Sequence, residues 1–219
     1  MRTALIRTLW LWTLLAALFA AGAAPAATLT RDQALAALEA VDPMDRFVAL
    51  ERLAEVGAMQ DADAVLERLA DADPRVRLSA SHAIWQIWSR SGNAAIDELL
   101  AHGVEQMNAG ALAGALHTFD EVVRRRPDFA EGWNKRATVK YLLGQYQASL
   151  LDCEEVFERN PRHFGALTGA AQIYLRQGRA EQALGMFRRA VAINPNLDAA
   201  ARIIPLIEQR LRELEKNTI

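Results

Sequence analysis

Small, apolar and turn-forming residues recur every 34 positions through the second half of the chain. Pro127, Pro161 and Pro195 keep one register, and Gly110, Gly144 and Gly178 keep another. Ala115, Ser149 and Ala183 form a third, and Phe119, Cys153 and Phe187 a fourth. A period shared by four residue classes marks a stack of like units, each burying its apolar face on its neighbours. The pattern predicts helix pairs, with first helices over 96–109, 130–143 and 164–177. The second helices fall over 112–126, 146–159 and 180–193. The glycines sit in the tight turns, where a missing Cβ helps, and each proline falls just past a second helix. Small residues at 115, 149 and 183 let paired helices approach closely. Trp133, Leu167, Phe119 and Phe187 fill the space between units.

The first half keeps a step of 31. Leu35 and Leu38 recur as Leu66 and Leu69, and Asp42-Pro43 recurs as Asp73-Pro74. Arg46, Phe47 and Ala49 recur as Arg77, Leu78 and Ala80. Asp before Pro is a helix start, because the carboxylate caps free N–H groups and Pro fits the first turn. Ser89 to Asn93 is the best internal break. It is short, so the two arrays are expected to pack end to end. Past Pro195, the apolar positions Ile203, Leu206, Ile207, Leu211 and Leu214 alternate with a charged face, which predicts a solvating cap. Pro205 is expected to kink that helix or split it at Ile204. No strand-like alternation of useful length appears.

On these residues the second half resembles tetratricopeptide repeats, which are 34-residue helix-turn-helix units. The middle unit fits best, with Trp133, Ala137, Gly144, Tyr146 and Pro161. The resemblance implies an all-α, right-handed solenoid whose concave groove is lined by the first helix of each unit. The two 31-residue units resemble short HEAT-like repeats through their Asp-Pro-x-x-Arg strings. That resemblance implies that Asp42, Arg46, Asp73 and Arg77 ladder between neighbouring units. The expected organisation is a signal peptide over 1–26, HEAT-like repeats over 27–92, three tetratricopeptide-like units over 93–195 and a capping helix over 196–219.

Residues 1–26 have the layout of an export signal. Arg2 and Arg7 precede an apolar run from Leu9 to Ala20, and Ala24-Pro25-Ala26 offers a small-x-small cleavage site. The rival is an uncleaved anchor, because no charge falls between Arg7 and Arg31. The expected location is the bacterial periplasm, with membrane association only if the segment is retained. The whole chain carries 25 basic and 27 acidic residues. With no basic excess, nucleic acid is not an expected partner.

Candidate chemistry is sparse. Cys153 is the single cysteine, and its register with Phe119 and Phe187 makes it a packing residue. His82, His102, His117 and His163 form no tight metal pair. His117, Asp120 and Glu121 share a helix face that reads as wet surface. Arg124-Arg125-Arg126 complements a helix C-terminus. One or both of Trp85 and Trp88 are expected to be buried at the seam against the first 34-residue unit. No catalytic constellation, cofactor or metal site is expected. By the geometry of the family, a protein or peptide partner would meet Asn108, Asn134, Lys135, Thr138, Tyr141, Gln172 and Arg176. Gly165 and Gly169 stand where some members carry carboxylate-clamping residues, which argues against an acidic tail as the ligand.

Overall fold

The computed structural model describes residues 28–216 as an all-α helical solenoid, and the expected export segment lies outside them. The 31-residue step yields two helix pairs: α1 (Arg31–Ala37) with α2 (Pro43–Val56), and α3 (Ala62–Glu67) with α4 (Pro74–Trp88). The 34-residue step yields three: α5 (Ala94–Asn108) with α6 (Leu112–Arg125), α7 (Ala130–Leu142) with α8 (Tyr146–Arg159), and α9 (Phe164–Arg176) with α10 (Ala180–Ile193). A last helix, α11 (Asp198–Lys216), follows. Every boundary of the three 34-residue units lies within two residues of its expected place.

The turns inside those units are chemically alike. Gly110, Gly144 and Gly178 have φ of 76°, 74° and 72°, a region costly for any residue with a Cβ. Each glycine N–H donates to the carbonyl three residues back, and the next N–H reaches five back, as Ala111 does to Gln106, Gln145 to Lys140 and Arg179 to Tyr174. Both bonds together make the Schellman end, which ties up carbonyls the helix leaves open.

Pro205 does not split α11, which runs through it unbroken. The lost backbone bond is offset by a stripe of Ala200, Ile203, Ile204, Ile207 and Leu211 packed in the cluster that holds Ala183, Leu184 and Phe187 of α10. Leu206 falls off that stripe and is exposed.

The expected ladder exists with different partners. Asp42 and Asp73 cap α2 and α4 by accepting from Met44 N–H and Arg75 N–H, both at 2.8 Å. Arg46 instead grips Asp71 at 2.7 and 2.8 Å while bonding the Ala40 and Val41 carbonyls. Arg77 repeats the carbonyl pair 31 residues on, at Asp71 and Ala72. Its side-chain partner is Asn196, at 3.0 Å, from the far end of the chain.

The end-to-end expectation is therefore corrected. The first half folds back onto the third 34-residue unit, and its core includes Phe164, Leu167 and Ala190. The first unit keeps a separate core around Ile96, Leu100, Phe119 and Phe129. Three ties fasten the return: Arg162 to Asp63 at 2.7 Å, Asn196 Nδ2 to the Leu69 carbonyl at 2.7 Å, and the Arg77–Asn196 bond.

Candidate functional site

Trp85 and Trp88 end the apolar face of α4, and they make the joint. Trp88 stacks on His163 with centroids 4.3 Å apart, and both tryptophans contact the Phe164 ring. The expectation that they pack on the first unit is thus also corrected. The physical reason is Gly165, at one of the two bare clamp positions. A Cβ there would stand 2.5 Å from Trp85 Cη2, so only a glycine admits the indole.

Below the indoles lies a buried charge. Glu131, at the start of α7, is 1 % exposed. Its Oε2 accepts from Asn134 Nδ2 at 3.0 Å and lies 2.9 Å from His163 Nε2. Its Oε1 lies 2.9 Å from Lys135 Nζ. His163 Nδ1 accepts from Ala166 N–H, which leaves Nε2 to carry the proton toward the carboxylate. Burial pushes the Glu131 carboxyl up, but the His163 bond and the Lys135 charge outweigh it and hold it below the usual range. Lys135 also sits over the Trp85 ring, 5.7 Å from its centroid. It is spent on the joint.

What remains of the concave face is a channel. A cavity of about 690 Å³ separates one face of α4 (Pro74, Arg77, Leu78, Ser81, Trp85) from α7 and α9. Of the residues expected in the groove, Asn134, Thr138, Tyr141 and Gln172 line it. Arg176 stands outside the lining and donates to Tyr141 Oη at 2.9 Å. Asn108 is exposed at the end of α5, away from the cavity. The family's geometry does not include the α4 wall, which reaches the site from distant sequence, or the Asn194–Leu197 turn, which follows a second helix and not a first. Cys153 lines the channel too, with its thiol pushed up to about 12 by burial and by Asp152 and Glu154. A thiol that stays protonated is a poor nucleophile.

The other singled-out charges are structural or superficial. Arg124 and Arg125 share Glu121, and Arg126 pairs with Asp128 at 3.0 Å. Asp120 bonds Arg136 at 2.8 Å, while His117 is exposed. Among the described residues no group of three or more His, Cys, Asp or Glu is placed to hold a metal. Among them, too, no helix is long and apolar enough to cross a membrane.

The class defined by these repeats is also found by comparison. Tetratricopeptide repeat profiles match residues 100–156 and 140–203. A TPR repeat-containing protein of Rhizobium etli is 32% identical over 162 residues, covering 74% of this chain and 79% of that protein. The chain belongs to the tetratricopeptide-repeat family. The human DnaJ homolog subfamily C member 3 is 30% identical over 130 residues, but these span only 26% of its length. Among solved structures, the Sgt2 TPR domain from Aspergillus fumigatus superposes with a TM-score of 0.53 at 16% identity, covering 57% of this chain and 83% of that domain. The first TPR of Spaghetti, bound to the HSP90 peptide SRMEEVD, gives 0.51 at 18% identity, covering 53% and 93%. These two likenesses are of fold.

Proposed function

We propose that the protein is a non-catalytic interaction module that holds a segment of a partner protein against the concave face of its second and third units. One observation carries this reading. The concave positions Asn134, Thr138, Tyr141 and Gln172 converge on a single cavity instead of being spread over a wet surface. The Spaghetti domain, of like fold, is described with a bound peptide, which supports a peptide-sized occupant here. Its acidic peptide is not the expected chemistry. Lys135 is already paired with Glu131, and Gly165 and Gly169 offer no side chain to a carboxylate.

The workplace we propose is the bacterial envelope, on the strength of the charge pattern and small-residue site within residues 1–26. A benzoylphenylalanine crosslinker at Gln172, compared with one at Arg188 on α10, tests the groove in cells. Adducts at 172 and none at 188 are expected, and equal labelling overturns the reading. A tethered assembly subunit is the second reading, favoured by the uncharged stretch between Arg7 and Arg31. Intact mass of the native protein separates the two: a start near Ala27 means release, and Met1 means a tether.

A further inference from the structure

We infer that α4 supplies half of the recognition site, so that the partner segment is an extended, uncharged stretch inserting an apolar side chain between α4 and the concave face. This rests on the groove reading above and gives it a chemistry.

The lining sets the charge of the occupant. Arg77 is the one charged residue among the channel-lining residues, and its guanidinium is engaged by the Asp71 and Ala72 carbonyls and by Asn196 Oδ1. An ammonium entering the channel would shed water and find no acid among the lining residues, and a carboxylate would find only Arg77, whose guanidinium is already shared by three neutral acceptors. Trp85, Phe164 and Ile173 offer apolar wall instead. Leu78 stands 74 % exposed on the α4 wall.

Two lining amides give the occupant its backbone form. Asn134 and Asn194 are 7 % and 3 % exposed. Asn134 spends Nδ2 on Glu131, and its Oδ1 has no hydrogen bond. Asn194 accepts twice at Oδ1, from the Asn196 backbone and side chain, and its Nδ2 has no hydrogen bond. One free acceptor and one free donor therefore line a single cavity. An extended chain offers an N–H and a C=O to match them, whereas a helix spends both internally. Ser81 adds a hydroxyl with no bond of its own from the α4 side. None of these atoms is sealed from water, so a main chain laid between them exchanges its own water bonds and theirs for direct ones.

Gly169 provides the test. It lies within α9 and lines the channel, yet a Cβ built on it meets nothing within 4 Å. Gly169→Phe should therefore fill the channel while the fold stands, as circular dichroism and a denaturant melt will check. Peptides displayed on phage are selected on the full chain and then titrated by calorimetry, with the summed tryptophan emission as a second signal. The expected peptides share an uncharged core with a large apolar residue. Their affinity should fall about tenfold or more in Gly169→Phe and in Ser81→Glu, each an independent block from opposite walls. Charged cores, or affinities indifferent to Ser81→Glu while Gln172→Glu abolishes binding, overturn the role of α4 and leave the groove reading intact. No enrichment over bare matrix overturns both.

Discussion

Glu131 carries its charge out of reach of bulk water, and the neighbours that hold it there are the residues that join the two halves of the molecule. Glu131→Gln keeps the shape but removes the charge opposite Lys135. The expected cost is about 2 to 3 kcal/mol, between an unsatisfied buried hydrogen bond and a broken buried ion pair. A urea melt measures it. The pH dependence has a definite sign. A carboxylate held below its ordinary value of 4.5 contributes stability that is complete above that value and lost as pH falls through the lower folded value. Wild type should therefore lose more stability than Glu131→Gln between about pH 5 and pH 3, and parallel curves would refute the assignment. Gly165 makes a second residue-scale prediction. Gly165→Val drives a side chain into Trp85 and should cost about 1 to 3 kcal/mol, with a red-shifted tryptophan emission.

At the scale of elements, the turn from Asn194 to Leu197 acts as a clasp on the end of α4. Asn196→Ala removes the donor to the Leu69 carbonyl and the acceptor of Arg77, for an expected loss of about 1 to 2 kcal/mol. Amide exchange should quicken in α4 and in this turn together, and a change confined to one of them would count against the clasp. The cap of α4 is a separate matter. Asp73→Ala should cost about 1 kcal/mol, read as a lower thermal midpoint with the channel intact. Helix pairs and turns were legible in the sequence because they recur at fixed steps, and the tetratricopeptide resemblance then implied Asn134, Thr138, Tyr141 and Gln172 as concave positions. The roof over them was not. Arg77 and Asn196 lie 119 positions apart, and no period connects a tryptophan on α4 to a glycine that makes room for it. Gly165 and Gly169 were visible as missing clamp residues. That an indole fills one vacancy and leaves the other open could be seen only with the fold in hand.

At the scale of the whole molecule, contact between α4 and α9 breaks the rule that repeat arrays interact only with their neighbours. Trp88→Ala, in the first half, should lower stability by about 3 to 5 kcal/mol. It should also raise amide exchange in α9, 70 and more residues away. An effect confined to residues 28–91 would show that the halves fold independently. One cooperative melt is expected for the intact chain, with tryptophan emission and far-ultraviolet dichroism giving the same midpoint.

The closing of the chain upon itself also bears on how such a protein changes over generations. An open stack of hairpins lengthens freely, because a duplicated unit meets the same surfaces above and below as its parent. Here a fourth unit inserted ahead of α9 would carry His163, Phe164 and Gly165 away from the indoles they receive. The number of units between α4 and α9 is thereby counted by the molecule, and growth by duplication is left to the stretches outside that closure.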